Sequence, residues 1–264
     1  MAPGTQESLT ELMEKRPMTI VNNRYVSEPY RLFFPLGFAA FLAGIFLWVP
    51  QIWNPGPYPV LLHRYLLLNG FTASFIGGFL MTAVPRFSST AHAKAHEALL
   101  YLIVTLAGLY FALNENEKLV YASSIAQPLT LLAFMVPRIL KRKQNPPYSF
   151  IFIFVGFFLW IASGISAIFF DSETGKDLHY EGAIAAIILG VGSRLIPGIL
   201  GHVEIVTTQR DLYEKPVALL KTVPLYFFGL ILVFALSYLP SMSMSAWLRF
   251  FVVFFIAYRD WETG

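Results

Sequence analysis

The sequence predicts an all-α, polytopic integral membrane helical bundle of about eight transmembrane helices, with a four-plus-four internal repeat. Three observations predict it. First, 56% of the 264 residues are hydrophobic and 13% are charged, against about 25% charged in soluble domains. Second, apolar runs long enough to cross roughly 30 Å of hydrocarbon recur along the length. Third, Lys and Arg collect in alternate connections, as topology signals do.

Residues 1–29 form a polar lead, in which Ser8-Leu-Thr-Glu11 matches a capping box for a short helix through Arg16. No cleavable signal peptide is evident in it. The spans are expected at Leu32–Pro50, Tyr58–Val84, Ala98–Leu113, Leu119–Val136, Tyr148–Phe170, Leu178–Leu200, Val217–Leu239 and Met244–Tyr258. Pro85–His96 is read as a connection, Asn114–Lys118 as a tight turn and Asp171–Asp177 as an acidic loop. The membrane domain is therefore 30–258, with repeat halves at 30–143 and 147–258 and a tail at 259–264.

Basic residues before span one and after spans two, four, six and eight place both termini in the cytoplasm of a bacterial inner membrane. The formal charge of +3 is read as topology rather than a nucleic-acid surface, so lipid is the expected surround. Gly156 within Phe154–Trp160 repeats the setting of Gly37 within Pro35–Phe41, and span six resembles span two. Cysteine is absent, which removes disulfides, thiolate haem ligation, covalent haem attachment and cysteine-ligated clusters.

The chemistry is sought in two segments of one plan, His63–Arg86 and His179–His202. Each has a histidine, small residues at helical spacing and then a proline. His63, Gly70, Ser74 and Gly78 fall near one face of span two, and His179, Gly182, Ala186 and Gly190 near one face of span six. Small residues serve close helix packing, and they equally admit a flat macrocycle. Both histidines lie at similar depth near the outer face, where a shared metal or haem site is expected. Arg194, inside span six, reads as a counter-charge for an anionic group or as a snorkelling cation. Arg64 and Glu181 flank the histidines and are able to orient imidazoles or meet propionates. His92-x-x-x-His96-Glu97 has metal spacing but falls in a loop, and solvated interfacial histidines explain it.

With Arg31-Leu-Phe-Phe34, the His63…Gly70-Phe71…Gly78-Phe79-Leu80-x-Thr82-Ala83-Val84-Pro85 segment and the His179…Leu189-Gly-Val-Gly-Ser193-Arg194…Gly198…Gly201 segment, the chain resembles the NnrS family of bacterial membrane haem- and copper-containing proteins. The resemblance implies a role in nitric oxide metabolism and nitrosative-stress handling, through nitric oxide binding or electron transfer. It implies b-type haem held by His63 and His179, both on one iron or one each. It implies copper less directly, because Leu61, Arg64 and Ile199 stand where the family places a histidine, a glutamate and a further histidine. Family members are usually longer, so the chain is expected to be a short relative or a fragment. Two further readings remain: a quinol-linked cytochrome b serving a redox partner, and a non-catalytic or transporter-like bundle with structural histidines.

Overall fold

In a hydrocarbon solvent the backbone has to satisfy its own polar groups, so apolar runs of this length fold as helices. The computed structural model describes residues 27–53, 56–144, 150–170 and 178–199, with Tyr25, Pro146, residues 175–176 and Trp247 besides; for 193–199 it describes the backbone only. Among these residues there is no strand.

The elements are α1 (Tyr30–Phe46), α2 (Val49–Trp53), α3 (Val60–Tyr65), a wide π-helical turn π1 (Leu66–Thr72), α4 (Ala73–Ser88), α5 (Ala95–Leu113), α6 (Glu117–Leu140), α7 (Phe150–Phe169), a second wide turn π2 (Leu178–Ile184) and α8 (Ala185–Ile199). Five helical stretches are long and apolar enough to cross a membrane: Tyr30–Trp53, Val60–Ser88, Ala95–Leu113, Glu117–Leu140 and Phe150–Phe169. Leu178–Gly192 forms a shorter apolar helix. The chain is thus a multi-pass helical membrane protein. The seventh and eighth expected spans, the N-terminal capping box and the C-terminal tail lie outside the described residues.

Two expected boundaries move. α4 runs through Pro85 to Ser88, and α6 passes Pro137 to reach Leu140. Proline removes one helical donor, but here a further turn follows it. Ser88 Oγ donates to Val84 O at 2.7 Å, and Ser89 then closes α4 in the left-handed region at φ 50°.

The core lies where α4, α6 and α7 meet, around Leu80, Met81, Leu131, Met135, Ile153, Phe157 and Trp160. Along α5, Leu99, Ile103, Leu106, Tyr110 and Leu113 point outward as a lipid-facing stripe. At one end of the bundle Arg138 grips the α4–α5 connection. It donates to Glu97 at 2.9 and 2.8 Å and to the carbonyls of Ala91 and His92. Glu28 joins Arg31 and Arg86 at the same α4 terminus.

Two helix pairs are built alike. Gly37 of α1 meets the Phe71 carbonyl and Phe75, whereas Gly156 of α7 meets the Ala183 carbonyl and Ile187. The shift that carries Phe71 onto Ala183 and Phe75 onto Ile187 also carries π1 onto π2. In each pair a glycine lets one helix lie against backbone at the end of a wide turn.

The wide turn in π1 rearranges its hydrogen bonds. The Ala73 amide reaches back to Leu68 O instead of Asn69 O, and Asn69 O accepts from Gln127 Nε2 at 3.0 Å. Ala73 O in turn accepts from Tyr101 Oη at 2.7 Å. Gln127 is fully buried and also donates to Thr105 Oγ1, while its Oε1 accepts from Asn69 Nδ2 at 2.8 Å. Asn69 Nδ2 reaches Ser124 Oγ as well. Gln127→Ala strands the Asn69 carbonyl and leaves its side-chain amide with Ser124 alone. It should lower stability by about 1–2 kcal/mol on the scale of interhelical hydrogen bonds and unmet buried groups. Thermal unfolding in detergent checks this, and an unchanged midpoint would contradict the network.

Candidate functional site

His63 stands in the last turn of the short helix α3, and its Nδ1 lies 2.9 Å from Gly44 O. A carbonyl only accepts, so Nδ1 carries the proton and Nε2 presents its lone pair. That carbonyl is available because α1 ends there. The Trp48 amide, which would bond it in a continuing helix, goes to Ile45 O at 3.1 Å instead. Trp48 and Tyr58 close around the ring, with centroids 6.1 and 5.4 Å from it.

His179 lies in π2 and is 6% exposed. Its Nδ1 is 3.3 Å from Ser163 Oγ. Ser163 spends its hydroxyl hydrogen on Trp160 O at 2.7 Å, so in the contact with His179 it accepts. The result is the same tautomer as at His63. The Nε2 of His179 is buried and has no hydrogen-bond partner. Trp160 meets the ring edge-on at 4.9 Å, and its indole N–H donates to Ser124 Oγ at 3.0 Å. Ser124 also accepts from Asn69, so the cushion beneath His179 is tied to π1.

The two anchors correspond. The shift that carries Gly37 onto Gly156 carries Gly44 onto Ser163. A backbone carbonyl in one pair and a hydroxyl in the other each meet an imidazole Nδ1, although the shift that carries π1 onto π2 places His63 on Gly175 rather than on His179.

His179 borders a cavity of about 40 Å³, together with Arg64, Asn69, Tyr121, Ser124 and Lys176. Such a volume takes a diatomic or a few heavy atoms. Arg64 stands beside the Tyr121 hydroxyl, which donates to Glu117 Oε1 at 3.0 Å.

Of the residues singled out from sequence, the structure brings Arg64 and His179 to one cavity. His63 is not part of its lining: among the described residues Trp48 and Tyr58 flank its ring, whereas Trp160 and Tyr180 flank that of His179. Arg194 falls on α8, with its side chain outside the described residues. The small-residue face below His63 is filled by protein. A Cβ at Gly70 would meet Ala40, and one at Gly78 would meet Phe33 and Tyr30, all in α1. His92 and His96 are exposed, and Glu97 is engaged by Arg138. No group of three metal-binding side chains occurs among the described residues.

Sequence reasoning passed over Ser163, Trp160, Ser124 and Lys176. The polar residues Asn69 and Gln127 inside apolar spans were the available signal for the network, since such residues are costly there.

Residues 24–264 match the family described as NnrS protein. No curated protein and no solved structure matches the chain.

Nitrogen-15 spectra of histidine-labelled protein should show the Nδ1 of both His63 and His179 carrying a proton. Ser163→Ala should release His179 alone into a mixture of tautomers. A His179 ring protonated at Nε2 in the unmodified chain would contradict the assignment.

Proposed function

The chain belongs to the NnrS family, and from that premise we propose that it handles nitric oxide or nitrosative stress in the bacterial inner membrane, binding haem b through His63 and His179. The observation that carries this reading is the shared tautomer. Metal-ligating histidines donate their other ring N–H to a carbonyl or similar acceptor, which fixes the ring and leaves one lone pair for the metal. Both rings are held this way.

Neither imidazole belongs to a group of three metal-binding side chains among the described residues, and each has its own helix pair around it. One imidazole suits a metal that brings its own equatorial ligands, which favours haem over bare copper. The reading is therefore one histidine per iron rather than both on one. Haem held by a neutral imidazole would supply one-electron transfer and a site for nitric oxide.

The donors fit this group. The room beside His179 does not, because a cavity of about 40 Å³ takes a few atoms and not a macrocycle. His63 is only partly buried and lies outside that constraint. What the protein's own groups do is clear of that difference. Gly44 and Ser163 orient the rings, Trp160 packs edge-on against His179 and ties it to Ser124 of α6, and Arg64 places positive charge beside the cavity. Arg194 is proposed as a second counter-charge. Both termini are proposed to be cytoplasmic, with the Arg86 and Arg138 end facing inward.

Purified protein should show a Soret band and a reduced-minus-oxidised α-band. His63→Ala and His179→Ala should each remove or shift part of that spectrum. A flat spectrum with no iron on metal analysis, or indifference to both substitutions, would overturn the reading.

A further inference from the structure

We infer that the space between the start of α3 and the α5–α6 turn seats the headgroup of a phospholipid bearing a primary ammonium, phosphatidylethanolamine. The space is about 350 Å³, within the range of small-molecule sites. Tyr58, Leu62 and Arg64 border it from the α3 side, and Leu113, Glu115 and Glu117 from the turn. It lies at the end of the bundle away from Arg86 and Arg138, where α3 and α6 begin and α5 stops.

Its charges are of both signs. Arg64 brings a guanidinium and the two glutamates bring carboxylates, whereas Lys118 of the same turn is not in the lining. A lone anion would meet two like charges here, and a lone cation would meet Arg64. A zwitterion satisfies both: its phosphate accepts from the guanidinium, and its ammonium donates to the carboxylates. Glu117 accepts one hydrogen bond, from Tyr121, and a carboxylate has room for several.

A second observation points to a ligand at the same place. The Tyr58 hydroxyl is buried and has no hydrogen-bond partner among the described residues. Buried polar atoms are nearly always paired with protein, water or ligand. Trp48 stacks on the Tyr58 ring with 4.1 Å between centroids, so the ring is braced while its hydroxyl is left to donate to a phosphate oxygen.

The surroundings identify the zwitterion as a lipid. Trp48, Trp53 and Tyr110 are exposed at this end, and tryptophan and tyrosine collect at the level of the headgroups. Leu113 borders the space and also heads the outward stripe of Tyr110, Leu106, Ile103 and Leu99. That stripe is about 21 Å long at 1.5 Å per residue, enough to back an acyl chain through one leaflet of a roughly 30 Å core. Headgroup and chain thus have adjoining seats. The inference goes beyond haem binding and holds whether or not either imidazole carries a metal.

Native mass spectrometry of the purified full chain, delipidated in an uncharged detergent and titrated with single lipids, tests it. One phosphatidylethanolamine per chain is expected to bind. Phosphatidylcholine has no ammonium N–H and phosphatidylglycerol has no ammonium, so each should bind about tenfold more weakly or worse, the loss of one charged hydrogen bond. Glu115→Gln with Glu117→Gln should bring phosphatidylethanolamine down to the phosphatidylcholine level. Arg64→Gln should weaken both of those lipids, and Arg86→Gln, at the opposite end of the bundle, should weaken neither. Thermal midpoints show which variants are folded. Equal binding of phosphatidylethanolamine and phosphatidylcholine by the unmodified chain, tighter binding of phosphatidylglycerol, or unaltered selectivity in the folded double variant would overturn the inference. So would displacement of the lipid by an equal concentration of glycerophosphoethanolamine, which would assign the site to a soluble zwitterion. The Soret band reports on haem separately, so either conclusion can fall alone.

Discussion

Inside hydrocarbon, a backbone carbonyl that loses its helical donor has to find another within the protein. The wide turn after α3 creates this demand, and much of the interior follows from it. Asn69 O takes Gln127, Tyr101 adds a donor to Ala73 O at the start of α4, and those two side chains bind α4, α5 and α6 to one another. Thr105, Ser124 and Trp160 extend the same set of bonds to α7. A polar network sits at the centre of an apolar bundle because the backbone at π1 requires it. Wide turns of this type occur often at functional positions in helices, and here each lies within one turn of a histidine.

The same logic explains the histidines. The broken end of α1 leaves Gly44 O without its usual amide, and His63 supplies the donor. At the equivalent place in the second pair the acceptor is Ser163, whose own hydrogen is committed to Trp160 O. In both cases the surroundings consume Nδ1–H and leave Nε2.

Much of the fold was legible in the sequence. Six span positions agree with the helices to within a few residues, and the Gly37–Gly156 match was visible as local similarity before any packing was known. The wide turns were not legible, because nothing in Leu66–Thr72 announces a π turn until Gln127 and Tyr101 arrive from other helices. That omission had a consequence. Projecting His63, Gly70 and Gly78 on a regular helix made a groove open to a cofactor, whereas α1 fills the face at Gly70 and Gly78. Equal depth suggested that His63 and His179 share one site. Depth follows from position along a helix, but direction follows from rotation about its axis, and that rotation depends on the wide turns. Lys176 was hidden for a simpler reason: beside Glu173 and Asp177 it read as part of an acidic loop. Arg64 was found, because a cation flanking a histidine near a span terminus is unusual whatever its rotation.

The central claim is that each imidazole is presented singly, fixed through Nδ1 on its own helix pair. Electron paramagnetic resonance of the oxidised, haem-loaded protein tests it most directly. The account predicts an axial high-spin ferric signal, the mark of iron bound to one histidine. A low-spin signal of two imidazoles on one iron, lost equally in His63→Ala and His179→Ala, would contradict it.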